Sequence, residues 1–169
     1  ELFERGEIFY SRRIGASPKF STKAYDELEA NEVVDYNPTE TQLLNATKIS
    51  GRTSGGWGLG LLNSMTLPSY AILKDTLSGN ERRVMVQPFT NYNVAVVDKS
   101  LKNNSYISLI NTNMHMAGNP LSANVTATEF QLRDKTKTYA IGGKGGISTR
   151  NNGENQTGFF AEMRADKNS

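Results

Sequence analysis

The 169-residue chain has no cysteine. Disulfides and thiolate metal sites are therefore excluded. It has a single histidine, His115, with no Ser, Cys or acidic partner close by in sequence. Such a histidine reads as a structural or surface residue rather than a catalytic one. No run approaches the roughly 20 apolar residues of a spanning helix, which excludes a helical membrane protein. Strands that face lipid on one side only remain open, because they need alternate apolar residues rather than a run. The formal net charge of +2 is small, and there is no basic stripe with interleaved aromatics. A dedicated nucleic-acid binder is not expected. The chain opens at Glu1 without a Met or a signal peptide. It reads as a mature product or a fragment, and its start does not decide export.

What is present is β structure with connections of two kinds. Tight turns are expected at Ser54-Gly55-Gly56, Lys102-Asn103-Asn104 and Asp134-Lys135. Longer connections run from Ile14 to Leu44, from Leu67 to Phe89 and from Ala117 to Ser122. Short turns at one end and long loops at the other are the pattern of an outer-membrane barrel. The runs between them are long: Leu2–Arg12, Asn45–Thr53, Trp57–Thr66, Thr90–Leu101, Ser105–His115, Ala123–Arg133, Thr136–Thr149 and Gly158–Ala165. Several reach the 9–11 residues or so of a membrane strand, against about 5–6 in soluble sheets. The expectation is an all-β, antiparallel up-and-down meander of about eight strands, each paired with its sequence neighbour.

Alternation assigns faces. Trp57, Leu59 and Leu61 oppose Gly58 and Gly60, while Tyr92, Val94 and Val96 oppose Asn91, Asn93 and Ala95. Trp57, Leu59, Leu61, Tyr92, Val94 and Val96 are the lipid-facing candidates, with Trp57 and Tyr92 in opposite aromatic girdles. Asn91, Asn93 and Lys144 are expected to line a wet interior. The pattern blurs between Tyr106 and Asn113. It switches between Val125-x-Ala127 and Phe130-x-Leu132, as a bulge or a two-sided sheet would require.

Three motifs carry a family resemblance. The first is Phe3-Glu4-x-Gly6-x-x-Phe9-Tyr10-Ser11-Arg12-Arg13-Ile14-Gly15. The second is Leu44-Asn-Ala46-x-Lys48-x-Ser-Gly51-Arg52-Thr53-x-Gly55-x-x-Gly58-Leu-Gly60. The third is Pro88-Phe89-Thr90-Asn91-Tyr92-Asn93-Val94 with Asn111-Thr112-Asn113. Together they resemble the C-terminal β-barrel domain of unknown function in large envelope proteins of Bacteroidetes-type bacteria, whose N-terminal module is like carbohydrate-binding family 9. The matching segments reach about Gly118. The resemblance implies that residues 1–169 are a single segment of a longer barrel domain. It implies no catalytic residues.

Candidate chemistry is sparse. Gly142-Gly143-Lys144-Gly145-Gly146 lacks the Ser or Thr after Lys, and the following helix, that a phosphate-binding loop needs. It reads as a glycine-rich barrel strand with one inward Lys. Glu4 and Glu7 fall on opposite faces of an extended strand, so they make no glycosidase pair. Asp26, Glu27, Glu29, Glu32 and Asp35 form a solvated acidic loop without the spacing of a calcium loop. The N-x-[ST] triplets at Asn45, Asn103, Asn124 and Asn155 follow from a composition rich in Asn, Ser and Thr. Arg12, Arg13, Arg82 and Arg83, at the loop end, are the candidate contacts for lipopolysaccharide or a sugar acid. No nucleophile–base pair or metal cluster emerges, so neither an enzyme nor a cofactor is expected. The functional expectation is a wall segment of the bacterial outer membrane, serving transport or surface anchoring. Its partners are outer-membrane lipid and polysaccharide or another envelope protein. The alternative is a soluble β-sandwich module for carbohydrate binding or adhesion.

Overall fold

The structure, a computed structural model, describes residues 14–167. The described chain is antiparallel β throughout apart from short helical turns, as at α1, Lys23–Asp26. Its strands are β1 Glu32–Tyr36, β2 Leu43–Arg52, β3 Trp57–Thr66, β4 Ser69–Asp75, β5 Glu81–Gln87, β6 Thr90–Ser100, β7 Tyr106–Met116, β8 Ser122–Arg133, β9 Tyr139–Asn151 and β10 Asn155–Lys167. Seven of them form one sheet in the order β10-β9-β8-β7-β6-β3-β2, and β1-β4-β5 form a second, three-stranded sheet. The expected strand at Leu2–Arg12 lies outside the described residues. The other long runs are all present in the large sheet, and the sheet is open rather than closed into a barrel.

The simple meander is interrupted. β3 pairs with β6 rather than with β4, the next strand in the chain, because β4 and β5 leave the sheet as a hairpin and pair with β1 instead. The long connections thus hold the small sheet. Its pattern explains why: Ala71, Leu73, Val84 and Val86 are buried in alternation and share one apolar cluster with Ala24 of α1. Such short strands with one apolar face need a cover, and α1 with Val34 supplies it. Both long connections leave the large sheet at the same end, beside the paired residues Thr66 and Thr90.

The tight turns lie at the opposite end. Thr53 donates its N–H to Trp57 O at 2.8 Å, and Leu101 donates to Ser105 O at 2.8 Å. Gly56 has φ 80°, and Asn103 and Asn104 have φ 59° and 58°. Only Gly and Asn take that region cheaply, so the Asn103 triplet is turn chemistry. The third turn is longer than expected. β9 begins at Tyr139 rather than Thr136, and the closing bond runs from Asp134 N–H to Tyr139 O at 3.1 Å. The Asp134 carboxylate organises this loop by accepting from Thr136 Oγ1 and from Tyr139 N–H. Those bonds, the Thr136 hydroxyl first, hold its carboxyl below the ordinary Asp value. At the loop end, the connection expected to be long is a compact turn at Ala117–Leu121, with Gly118 at φ 67°.

No bulge breaks β8. Its register with β7 and with β9 is continuous, so Val125 and Ala127 face one way while Phe130 and Leu132 face the other. Both faces of the sheet carry apolar residues, which is why alternation alone misassigned them. Trp57, Leu59 and Leu61 are 48%, 54% and 60% exposed, whereas Val94 and Val96 are 3% and 2% exposed. Leu61 pairs with Ala95 and Leu62 with Val94. Paired residues share a face, so the six lipid-facing candidates divide. Trp57, Leu59 and Leu61 lie on the exposed face. Tyr92, Val94 and Val96 lie on the other, where Val94, Val96, Ile110 and Ala127 form a core with Leu62. Asn91 and Asn93, expected inside, share the face of Leu59. Tyr92 therefore makes no girdle opposite Trp57 on that face.

The glycine run of β9 serves packing. A Cβ at Gly146 would meet Ala127 Cβ at 2.7 Å, Phe160 Cε1 at 2.9 Å and Thr126 O at 2.9 Å. One at Gly143 would lie 3.0 Å from Phe130 Cε1. Rings from β8 and β10 occupy the space that side chains would take. Gly146→Val is expected to lower unfolding stability by about 1–3 kcal/mol through overpacking. Gly51→Ala, where a Cβ meets nothing within 4 Å, should stay within about 0.5 kcal/mol. Urea melts of the two variants check this contrast.

Candidate functional site

Continuous register places whole rows of residues side by side across the seven strands. One row is Arg52, Gly58, Asp98, Ser108, Glu129, Lys144 and Glu162. It crosses every strand of the large sheet and carries all its charges on the face of Val94 and Val96. This face is called the ionic face below. The Arg52 guanidinium pairs with Asp98, whose side chain is fully buried, and also donates to Ser100 Oγ at 2.6 Å. Tyr106 donates its hydroxyl to Glu129 Oε1 at 2.8 Å. Lys144 lies 3.5 Å from Glu162, so the Lys of the glycine-rich strand has an acidic partner one strand away. The next row toward the loop end is Ser50, Gly60, Val96, Ile110, Ala127, Gly146 and Phe160. It is apolar or small in nearly every member, and it walls off one side of the charges.

The exposed face is organised the same way. Ile49, Leu59, Leu61, Val97, Ile107, Leu109, Leu132, Ile141, Ile147, Phe159 and Met163 are all exposed apolar residues on it. Nothing among the described residues covers them; Phe159 is 88% and Met163 75% exposed. Single exposed apolar residues are ordinary, but a contiguous band of this size marks a contact surface. At the tight-turn end the band finishes in Trp57 and Tyr139, with Lys99 Nζ 4.7 Å and Lys167 Nζ 5.9 Å from the two ring centres. Toward the loop end it gives way to a row of Thr47, Asn63, Asn93, Asn113, Asn124, Thr149 and Thr157. Asn63 Nδ2 donates to Asn91 Oδ1 and to Asn93 Oδ1, both at 2.8 Å. Asn111 Nδ2 donates to Thr126 Oγ1 at 2.8 Å. These amides satisfy one another across strands and present a hydrated belt. His115 sits in the row beyond, exposed between Asn91 and Ser122. The sequence contained every member of this belt, but only the register aligns them.

The arginine candidates do not come together. Arg12 and Arg13 lie outside the described residues. Arg82 is engaged inside the small sheet: it donates to Glu32 Oε1 at 2.6 Å and Glu32 Oε2 at 2.7 Å, reaches Glu27 O, and lies 3.8 Å from Glu29. The Arg82 side chain, and then the Glu29 N–H, hold the Glu32 carboxyl below its ordinary value. Arg82 is thus a brace for β1, and three of the acidic-loop residues, Glu27, Glu29 and Glu32, are its partners. Arg83, next along an extended strand, points to the opposite face and is exposed. No cluster of three or more His, Asp or Glu positioned for a metal ion occurs among the described residues.

Comparison with known families decides the affiliation. Residues 1–169 match DUF5916, a domain of unknown function. The chain belongs to the DUF5916 family. The match extends beyond the segments that carried the resemblance in the sequence, to the far end of β10. No curated protein and no solved structure matches the chain.

Breaking the ionic row is the direct test of its weight. Arg52→Ala leaves Asp98 buried without its guanidinium partner. It should cost on the order of 2 kcal/mol, below the roughly 3–5 of a wholly buried pair because Arg52 is 38% exposed. Chemical denaturation of this variant against Arg83→Ala, which should be near neutral, measures the difference.

Proposed function

We propose that the seven-stranded sheet of this DUF5916 chain is a stretch of outer-membrane β-barrel wall, serving transport or surface anchoring. The observation that carries this reading is the inversion of the two faces. The uncovered face is the apolar one, and the opposite face holds ion pairs, small residues and a polar end. A soluble one-layer sheet would place them the other way round. Lipid on the apolar band, with Trp57 and Tyr139 at headgroup level and Lys99 and Lys167 reaching outward, satisfies both faces. From Tyr139 to Ile147 the band runs eight residue steps, roughly 27 Å at about 3.4 Å per step. That is near the roughly 25 Å apolar height of such walls. The Asn and Thr belt then lies above the hydrocarbon, toward the small sheet and the surface loops. Partners in this reading are outer-membrane lipid and polysaccharide or another envelope protein. The association with a carbohydrate-binding family 9-like module belongs to the same reading.

Strand direction adds a constraint. β2 and β10, the two edges of the sheet among the described residues, both run from the loop end toward the tight-turn end. An all-antiparallel barrel therefore needs an odd number of further strands between them.

One observation favours a second reading, a sandwich-type module whose apolar band is covered by another β-layer. The boundary between the apolar band and the belt follows the register rows. Seven strands spaced about 4.8 Å apart span roughly 29 Å, and a tilt of about 40° would raise one end of a row by ~19 Å over the other. In the wall reading the strands must stand closer to the membrane normal than that. Polarised infrared spectroscopy of the chain in oriented bilayers should give a tilt well under 35°. A tilt near 40° would drag part of the belt into hydrocarbon and favour the covered layer.

The more direct measurement is a fluorophore at Leu61. In the wall reading a brominated lipid quenches it and aqueous iodide does not, while a fluorophore at Asn93 responds to iodide. Quenching of the Leu61 probe by iodide alone, or by neither agent, overturns the membrane assignment.

A further inference from the structure

A cavity of about 420 Å³ opens at the loop end of the ionic face. Its floor is one register row, Tyr92, Met114, Ala123 and Arg150, together with the buried Met116. Its rim is the segment before α1, which brings Lys19 over the row. That segment is fastened. Lys19 donates its N–H to Gln87 Oε1 at 2.8 Å, Phe20 donates its N–H to Val86 O at 3.0 Å, and Thr41 donates its N–H to Ala16 O at 3.2 Å. Gln87 is itself held, since its Nε2 donates to Thr90 Oγ1 at 2.7 Å. The rim is therefore positioned before any ligand arrives, which lowers the ordering cost of binding.

Among the described residues the lining has two cations, Lys19 and Arg150, and no acid. Neither cation has an ion-pair partner among the described residues. Elsewhere on this face Arg52 pairs with Asp98, Lys144 with Glu162 and Arg164 with Asp166, and the two cavity cations stand apart from these pairs. The remaining lining divides into hydroxyl and amide groups at Thr41, Gln87 and Tyr92 and an apolar patch at the two methionines and Leu121. Volumes of about 300–1,000 Å³ are usual for small-molecule sites.

The geometry points to a binding site for a hydroxylated organic anion of about monosaccharide size, a sugar acid in the simplest case. Its carboxylate sits between Lys19 and Arg150, the Arg as a fork donor. Its hydroxyls meet Tyr92 and Thr41, and its less polar side rests on Met114 and Met116. The candidates read from the sequence were arginine pairs. The fold instead lines one cavity with an isolated arginine, Arg150, and a lysine about 130 positions earlier in the chain, a distance in sequence that no local motif records. This inference does not depend on the membrane reading, because the cavity is built within the described chain.

Isothermal titration calorimetry of the whole 169-residue chain tests it, with sodium glucuronate, glucose and inorganic phosphate as probes. Glucuronate should bind saturably, and glucose and phosphate each about tenfold or more weaker. Lys19→Gln and Arg150→Gln should each weaken glucuronate about tenfold, the loss of one charge-assisted hydrogen bond. Arg150→Lys should recover part of the loss, and Arg83→Gln should change nothing. Both cations are exposed, so thermal melts of the variants should match the parent. Ala123→Phe, which fills the cavity from its floor, gives a second route to the same loss. Absence of glucuronate binding, equal binding of glucose, equal binding of phosphate, or equal loss in Arg83→Gln overturns the assignment.

Discussion

Register is the constraint on which the rest of this structure depends. Side chains alternate along a strand, so a slip of one residue moves every side chain to the other face. In β6 such a slip would carry Asp98 away from Arg52 and bring Val97 onto the ionic face. Both faces oppose it. The ionic face would lose a buried carboxylate's partner, and the belt would lose the Asn63–Asn93 contact. A sheet with one featureless face has only one such restraint. Here a charge row and an amide row specify the same alignment from opposite sides, and the alignment holds through seven strands.

The same alignment explains the unusual composition of β9. Its neighbours contribute two large rings, Phe130 and Phe160, which lie against Gly143 and Gly146. Glycine there costs backbone entropy, and the close approach of the rings offsets it. Lys144 stands between these glycines on the ionic face, where it meets Glu162. A stretch that resembles a phosphate loop in composition is thus a packing device with one paired charge.

The small sheet has a different relation to the large one. It supplies no covering layer. It holds the segment before α1 in place through Val86 and Gln87, and Gln87 connects it to Thr90 in β6. The Arg82–Glu32 brace stabilises β1 against β4 and β5, so the Arg82 charge is engaged in fixing the loops. What remains available is the pair of cations over the cavity. Loops held on a rigid scaffold are where binding residues concentrate, and this loop is held at three points.

Much of the architecture was legible in the chain. The lengths of the β runs, the Gly- and Asn-containing turns at Ser54–Gly56 and Lys102–Asn104, and the common end of the two long connections all follow from local chemistry. The hairpin insertion was not legible, because Ala71, Leu73, Val84 and Val86 alternate no differently from residues of the large sheet. The turn at Asp134 was misjudged because a side chain, not the backbone, organises it. Family affiliation was also carried by the sequence, in motifs that lie mainly in β2, β3 and β6.

Face assignment separates the two levels most sharply. Alternation shows that Leu59 and Leu61 share a side and that Val94 and Val96 share a side. It does not say whether the two sides are the same, because that depends on which residue of β3 meets which residue of β6. The pairing of Leu61 with Ala95 decided it. The sequence by itself determined strand length, turn position and the period of each strand, since these depend on neighbours within a few residues. Tertiary structure alone decided the rows and the exposed apolar band, which depend on hydrogen-bond register between strands far apart in the chain, and the placing of Lys19 and Arg150 on one cavity, which depends on how the segment before α1 is fastened over the sheet.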